Sequence, residues 1–415
     1  SQNIPAPETQ DINQNPNAID ENRFPVTEKL LKMQANPNVK DSDGNSPVAY
    51  AAVRNNDLLR LFLDHGGDPN TFIYQDKKRM PVLTKVILDK KEDIYQILRD
   101  KGAKLDFDNS DNEDDKKFAP FKAALQSGVS SFIADLAKET NLNVLWDLSP
   151  EGVSPLIYVL GPYLKEDLKV AINYDTNMKK LLLEAKGNLN GNIGKSQEEL
   201  QEQKMQEMRN KQMKKLEFLK LDYELNQSVL KIVDILLNNN ADVNFPNKFG
   251  QTPLFFCQTK QAAEYLIDVK GAKFDVVDNN GNTPLTVAVK SNNKELISYY
   301  VDKAISSSLQ DQPFLKDCIL NLAFSPEEGY YKNNAYVNGL EHLLKYLKEK
   351  DEKLLKEMLN KTDENNNTPL IVAIALEQRT FAKHLLDYEN NVNHQNNAGE
   401  TAIFHAVATC DVAAT

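Results

Sequence analysis

The residues whose chemistry would support catalysis are few and scattered along the chain. The 415 residues include five histidines and three cysteines, and His405 and Cys410 form the closest histidine–cysteine combination. A catalytic cysteine needs a nearby base and a third group that orients this base. No orienting residue accompanies this pair, so we interpret both residues as core and cap residues. Motifs typical of phosphate-binding loops, dinucleotide-binding folds, zinc proteases and serine hydrolases are absent from the sequence.

Carboxylates crowd one short segment, residues 106–117, which includes Asp108, Asp111 and the run Glu113-Asp114-Asp115. A calcium loop of the EF-hand type needs oxygen ligands at ordered positions and a closing glutamate. This segment lacks that order, so we interpret it as a solvated, mobile loop, with calcium chelation as the alternative. We predict no metal and no cofactor for the chain.

Composition excludes several classes of partner. The formal net charge of -11 provides no basic field that would attract nucleic acid. No apolar run approaches the roughly 18–20 residues that span a bilayer, so we expect no membrane insertion. The cysteines lie far apart, which favours isolated thiols in a reducing compartment, and we therefore predict a cytoplasmic location.

One local pattern recurs from end to end: a turn that opens directly into a short apolar helix. In its clearest copy, residues 279–289, Gly281 suits a tight turn, Thr283 caps the helix and Pro284 occupies the first helical position. Apolar residues follow at helical spacing. We expect helices to open in the same way at Pro47, Pro81, Pro120, Pro155, Pro253, Pro284, Pro369 and Ala402.

These openings recur with a period near 33 residues. The spacing is 34 residues from Pro47 to Pro81 and 31 from Pro253 to Pro284. A unit of this length, built of a turn and two helices, resembles the ankyrin repeat with its T-P-L-H signature. Residues 239–244, NNADVN, are close to the G-A-D-V-N with which that family ends a repeat. The resemblance covers about residues 36–411 and implies an all-α ankyrin-repeat solenoid of helix-turn-helix repeats with an inserted helical hairpin.

The chain departs from the signature at its histidine. We expect weaker hydrogen bonding in the turns, because other residues replace this histidine at Ala49, Thr84, Lys122, Ile157, Phe255, Thr286 and Ile371.

Interruptions of the period set the predicted organisation. We divide the chain into a leader and capping helix (1–35), a first block of repeats (36–160), a helical hairpin insertion (161–228), a second block (229–304), a degenerate repeat with an enlarged loop (305–361) and C-terminal repeats of which the last is incomplete (362–415). Within the insertion, residues 163–226 form an arm that either packs on itself or associates with a partner or a second copy.

The resemblance implies that the turns and first helices form a concave surface that binds protein partners. Phe249 would be an exposed aromatic anchor on this surface, unless it folds onto the neighbouring turn. The predicted partner-binding residues are Ser42, Asp43, Asn45, Arg54, Gln75, Lys77, Lys248, Phe249, Gln251, Asn279, Asn280, Asn282, Lys290, Ser291, Asn365, Asn366, Gln395, Asn397 and Glu400.

We therefore predict a monomeric, non-catalytic scaffold with protein partners. Its Asn/Lys-rich turns and bulky inserts resemble ankyrin proteins that intracellular bacteria deliver into host cells, which implies secretion into the host cytoplasm. Two alternatives stay open. The chain is the targeting module of an enzyme whose catalytic domain lies beyond residue 415, or the 163–226 arm contains an active site of its own.

Overall fold

The computed structural model describes residues 24–75, 78–105, 120–164, 223–307, 313–324, 335–388 and 391–409. The chain forms two compact units, residues 1–123 and 124–415, and their boundary falls inside the predicted first block of repeats. Several predictions concern segments outside the described residues, namely the leader 1–23, the acidic loop, residues 165–222 of the arm, residues 325–331 of the enlarged loop, Lys77 and Cys410.

The first unit contains a short antiparallel hairpin between two helix pairs. Its elements are α1 Pro25–Lys32, α2 Pro47–Arg54, α3 Asn56–Asp64, β1 Phe72–Gln75, β2 Lys78–Pro81, α4 Val82–Leu88 and α5 Glu92–Asp100. The sequence pattern did not predict the hairpin, in which Phe72 lies opposite Pro81. The Arg79 guanidinium lies 3.6 Å from the centre of the Phe72 ring, a cation–π contact that joins the two strands.

A helix from Pro120 to Ser127, α6, crosses the boundary, and the second unit is helical. Its elements are α7 Ser130–Ala137, α8 Pro155–Leu160, α9 (residues 223–238), a 3-10 turn Pro253–Phe256, α10 Lys260–Glu264 with the π-helical turn Tyr265–Val269, α11 Pro284–Lys290, α12 Lys294–Ser306, α13 Pro313–Lys316, α14 Cys318–Ala323, α15 Ala335–Lys350, α16 Glu352–Leu359, α17 Pro369–Ala375, α18 Arg379–Leu386 and α19 Ala402–Ala408. The predicted all-α repeat fold is confirmed.

Every predicted opening begins a helical segment at the expected residue or the next one. A side-chain oxygen at the N-cap accepts the backbone N–H three residues later, which satisfies one of the donors exposed at a helix start. This bond forms at Ser46, Ser154, Thr283 and Thr368. Thr252 makes no such bond, because the segment that follows it winds as a 3-10 turn.

One departure from the signature has a structural replacement. Where the histidine would stand, the Thr286 hydroxyl accepts the backbone N–H of Thr283 at 2.7 Å and donates to its carbonyl oxygen at 2.8 Å. The Thr283 hydroxyl in turn accepts the backbone N–H of Thr286, which closes a reciprocal cap. The expected weakening of the turn is therefore wrong for this repeat.

Both helices of the repeats contribute to the core, and first helices such as α8 and α17 are almost completely buried. All six residues of α8 are buried, as are residues 369–374 of α17. The core of the second unit contains a cluster of three aromatic rings. The Phe314 ring packs edge-on against Phe274 and Tyr300, with distances between ring centres of 5.3 Å and 6.4 Å. Burial of these faces between neighbouring repeats is the main stabilisation of a stacked repeat fold.

The second helices are joined by a ladder of polar contacts. Its aspartates recur every 34 residues, and each accepts hydrogen bonds or forms an ion pair with a tyrosine and a lysine of the following repeat. The three rungs are Asp234 with Tyr265 and Lys270, Asp268 with Tyr299 and Lys303, and Asp302 with Tyr346 and Lys350. Distances in the first rung are 2.5 Å from the Tyr265 hydroxyl and 2.7 Å from the Lys270 ammonium.

The first rung makes stability depend on pH. Hydrogen bonds from Lys270 and then Tyr265 lower the pKa of Asp234 below its ordinary value of 3.8. Because the depressed pKa belongs to the folded state, the contribution to stability is present above pH 3.8 and is lost as the pH falls through the folded pKa. At pH 7 we expect the Asp234→Asn variant to melt at a lower temperature than the unmodified chain. At the acid end of a pH series the two melting temperatures should be equal. A gap that stays constant down to pH 3 would contradict this assignment.

Candidate partner-binding surface

Five of the turns share one construction that the sequence analysis missed. The first residue of each turn lies six positions before the helix start, and its side-chain oxygen accepts the backbone N–H groups of the second and fourth residues that follow. These residues are Asp41, Asn247, Asp278, Asp363 and Asn396, with bond lengths from 2.7 to 3.0 Å. The spacing of six from an Asp or Asn to the helix start is the signal that predicts it.

Left-handed backbone at the fourth position completes each turn. Gly281 adopts φ +77° there, and Asn366 takes the equivalent place with φ +60°. Asparagine tolerates this conformation better than most residues, which explains why a turn without glycine keeps the same shape. At Gly250 the space is also closed, because an added Cβ would lie 2.8 Å from the Asn279 side-chain oxygen.

Neighbouring turns are hydrogen-bonded to one another. The Asn279 backbone N–H donates to the Phe249 carbonyl oxygen at 2.9 Å, and its side-chain amide donates to the Lys248 carbonyl oxygen at 3.3 Å. The Gln251 amide donates to the Asp278 carboxylate at 2.9 Å. Asn279 and Gln251, two predicted binding residues, therefore also hold adjacent turns together.

The C-terminal turns repeat this arrangement. The Asn397 backbone N–H donates to the Asn365 carbonyl oxygen at 3.0 Å, and the Asn366 amide donates to the Gln395 carbonyl oxygen at 2.9 Å. Both pairs link residues of the predicted surface.

Two adjacent turns of the second unit, residues 247–251 and 278–282, are used together below, and we call their tips the turn strip.

In the first unit, Asn45 is buried and its side-chain oxygen accepts the Tyr74 backbone N–H at 2.7 Å. Its side chain therefore serves the fold. The Tyr50 hydroxyl donates to Asp41 at 2.8 Å, and this bond lowers the pKa of the Asp41 carboxyl. The Arg54 guanidinium lies 5.5 Å from the centre of the Tyr50 ring, which leaves a cationic group at the surface of α2.

The other predicted residues divide by exposure. Phe249 is 38% exposed and so does not fold away completely onto the neighbouring turn. Exposed are Ser42, Asp43, Arg54, Lys248, Asn279, Asn280, Ser291, Asn365, Gln395 and Asn397, whereas Gln251, Asn282, Lys290, Asn366 and Glu400 are partly buried. The backbone of Gln75 ends β1.

Lys290 is the partly buried cation of this surface. Its ammonium donates to the Asn282 side-chain oxygen at 2.6 Å, which ties the end of α11 to the turn of the same repeat. Burial lowers the pKa of Lys290, while the Asp278 charge acts in the opposite direction.

In the part of the chain that the structure describes, no three residues of the types His, Cys, Asp and Glu converge to hold a metal ion. His405 lies 3.4 Å from Glu400, measured between the ring Nε2 and a carboxylate oxygen. Burial raises the pKa of the Cys318 thiol, which disfavours the thiolate that a nucleophile requires. Among the described helices, none is long and apolar enough to cross a membrane.

Comparisons with known proteins identify the repeats. A family model for ankyrin repeats, in three copies, matches residues 224–311. Putative ankyrin repeat protein L271 of Acanthamoeba polyphaga mimivirus is 33% identical over 78 residues, which is 18% of this chain and 11% of that protein. Putative ankyrin repeat protein FPV230 of Fowlpox virus is 34% identical over 76 residues, or 18% of this chain and 39% of that protein.

A bacterial protein is also similar. Phosphocholine transferase AnkX of Legionella pneumophila is 28% identical over 130 residues, which cover 31% of this chain and 12% of that protein. The chain thus matches less than two thirds of the length of each of these relatives. Helix pairs with a period near 33 residues, the shared turn construction and these similarities agree, and the chain contains ankyrin repeats.

Proposed function

We propose that the chain is a non-catalytic scaffold that binds a protein partner across the turn strip and the adjoining first helices. The observation that carries this proposal is the hydrogen bonding between neighbouring turns, which fixes their backbones while Lys248, Phe249 and Asn280 stay exposed. Ankyrin repeats form protein-interaction modules, and this arrangement gives the module a defined binding face.

Rigid turns favour binding because little conformational entropy is lost on association. In the turn at 247–251, the Asn247 side chain and the contact with Asn279 hold the backbone on both sides of Phe249. The aromatic ring therefore projects from a fixed support. A large apolar side chain in such a position is typical of residues that dominate an interface.

Phe249→Ala is expected to weaken partner binding by about tenfold or more and to change the melting temperature little, because the ring is 38% exposed. The partner is first identified by pull-down with the chain, followed by mass spectrometry, and its affinity is then measured by titration calorimetry. Val269→Ala is the matched control, since Val269 is 65% exposed on a second helix away from the turns. A large loss of stability with binding intact would show that Phe249 is structural.

The setting we propose is a bacterial effector that is secreted into a host cell and acts on host proteins in a reducing compartment. The similarity to AnkX of Legionella pneumophila favours this proposal. A translocation assay with a reporter fused to the chain tests it: a reporter signal inside host cells is expected, and its absence would count against secretion.

The alternative is a targeting module within a larger enzyme. It is favoured by the name of AnkX, a phosphocholine transferase, of which the matched region covers only 12%. Transferase or hydrolase activity of the purified chain, lost when residues 163–226 are deleted, would overturn the non-catalytic proposal.

Size-exclusion chromatography with light scattering tests the predicted monomer, and a dimer that disappears on the same deletion would assign self-association to the arm.

A further inference from the structure

Lys290 combines partial burial with the lack of an ion pair among the described residues. Its ammonium donates to a neutral acceptor, the Asn282 side-chain oxygen, at 2.6 Å and forms no ion pair with a carboxylate of the described residues. Six other lysines of this unit do form ion pairs, namely Lys248 with Asp147, Lys270 with Asp234, Lys303 with Asp268, Lys316 with Glu357, Lys350 with Asp302 and Lys361 with Asp317.

The nearby carboxylate is occupied elsewhere. One oxygen of Asp278 accepts the backbone N–H groups of Asn280 and Asn282, and the other accepts the Gln251 amide at 2.9 Å. The Asn282 side-chain amide donates to both oxygens. Asp278 is therefore committed to shaping the turn, and the Lys290 ammonium keeps donor capacity for a further acceptor, because an ammonium has three N–H groups.

Burial without a carboxylate partner is unfavourable for an ammonium. An anion that bound beside Lys290 would relieve this cost, so the interaction would be stronger than at a fully exposed lysine. The position also suits recognition. Asn282 belongs to the same turn as Asn279, and the Asn279 backbone N–H is bonded to the Phe249 carbonyl oxygen of the preceding turn, so Phe249 and the acceptor of Lys290 belong to adjacent, hydrogen-bonded turns.

We propose that Lys290 binds a single carboxylate, from an Asp or Glu of the partner protein, next to an apolar partner side chain that packs on Phe249. This inference rests on the proposed function and names the chemistry of the partner. A segment with one carboxylate fits better than a polyacidic one, because the chain carries a formal net charge of -11 and repels polyanions at long range.

A random peptide library displayed on phage tests the proposal with the full chain as bait. Selected peptides are expected to share one Asp or Glu at a fixed distance from an apolar residue. Synthetic copies of these peptides should bind Lys290→Met about tenfold more weakly and Lys290→Arg within a few fold of the unmodified chain. Lys294→Met is the matched control, since Lys294 is exposed at the start of α12, and it should leave binding unchanged.

Replacing the peptide carboxylate by an amide identifies the pair directly. The Asp→Asn or Glu→Gln peptide should lose about tenfold in affinity for the unmodified chain and lose nothing further on Lys290→Met, because both changes remove the same contact. Peptides that depend on Phe249 but show no acidic preference would overturn this inference and leave the proposed function standing. If no selected peptide responds to Phe249→Ala or Lys290→Met, both proposals fail. Melting curves confirm that each variant is folded.

Discussion

Phe314→Ala is expected to lower the free energy of unfolding of the second unit by about 3–5 kcal/mol. The side chain is 1% exposed, and its ring lies edge-on to Phe274 and Tyr300. Removing the ring leaves a cavity between repeats and deletes two aromatic contacts, each of which stabilises beyond its buried area. This is the largest effect that we expect from a single truncation in the aromatic core.

Urea unfolding followed by circular dichroism measures the loss, and hydrogen exchange locates it. Phe324→Ala is the matched control because Phe324 is 50% exposed at the end of α14, and we expect it to cost less than about 1 kcal/mol. Repeat arrays can unfold in parts, so exchange rates of α12 and α14 are compared with those of α18. Equal losses for the two phenylalanine variants would refute the assigned role of Phe314.

Gly339→Ala is expected to lower the free energy of unfolding by about 2–3 kcal/mol. Gly339 lies in α15, where that helix crosses the end of α11. An added Cβ would lie 2.0 Å from the Val289 carbonyl oxygen and 3.3 Å from the Asn292 Cα, so the two backbones must move apart. This separation would open the contact along the rest of the crossing and outweigh the gain in helix propensity, which is about 1 kcal/mol.

Asn338→Ala provides the control for this prediction. Asn338 is the preceding residue of α15 and is exposed, so alanine there changes helix propensity without a collision. We expect its melting temperature to equal or exceed that of the unmodified chain. If the Gly339→Ala variant melted at the same temperature as the Asn338→Ala variant, α15 would not approach α11 as closely as described.

Local residue types predict much of this fold. Ser or Thr followed by Pro marks a helix start, and at Pro47, Pro284 and Pro369 the Ser or Thr also caps the helix. The hairpin of β1 and β2 is different. Its strands depend on cross-strand pairs such as Phe72 with Pro81, which no single segment reveals. The crossing at Gly339 depends equally on two segments that are distant in sequence.

The candidate surface shows a similar limit. Asn45 and Asn282 have the same residue type and the same place in their turns, yet Asn45 is buried and Asn282 is only partly buried. The difference comes from the neighbouring turn, since Asn45 bonds to Tyr74 of the next repeat. Lys290 and Asn282 lie eight residues apart in sequence. Their contact depends on the orientation of α11, because Lys290 at the end of this helix has to reach the turn that precedes it. Sequence reasoning thus proposes a set of surface residues, and packing selects among them.

Between residues 234 and 350, the ladder of aspartates on the second helices couples each repeat only to the one that follows it. In such an array each repeat is stabilised by its nearest neighbours. The loss of one rung weakens a single interface, so a boundary between folded and unfolded repeats can form at that interface. The last link is of another kind, because the Lys348 ammonium lies 5.5 Å from the Tyr388 ring centre. Within this unit we therefore expect fraying to begin at the C-terminal repeats and to advance toward α9 one repeat at a time.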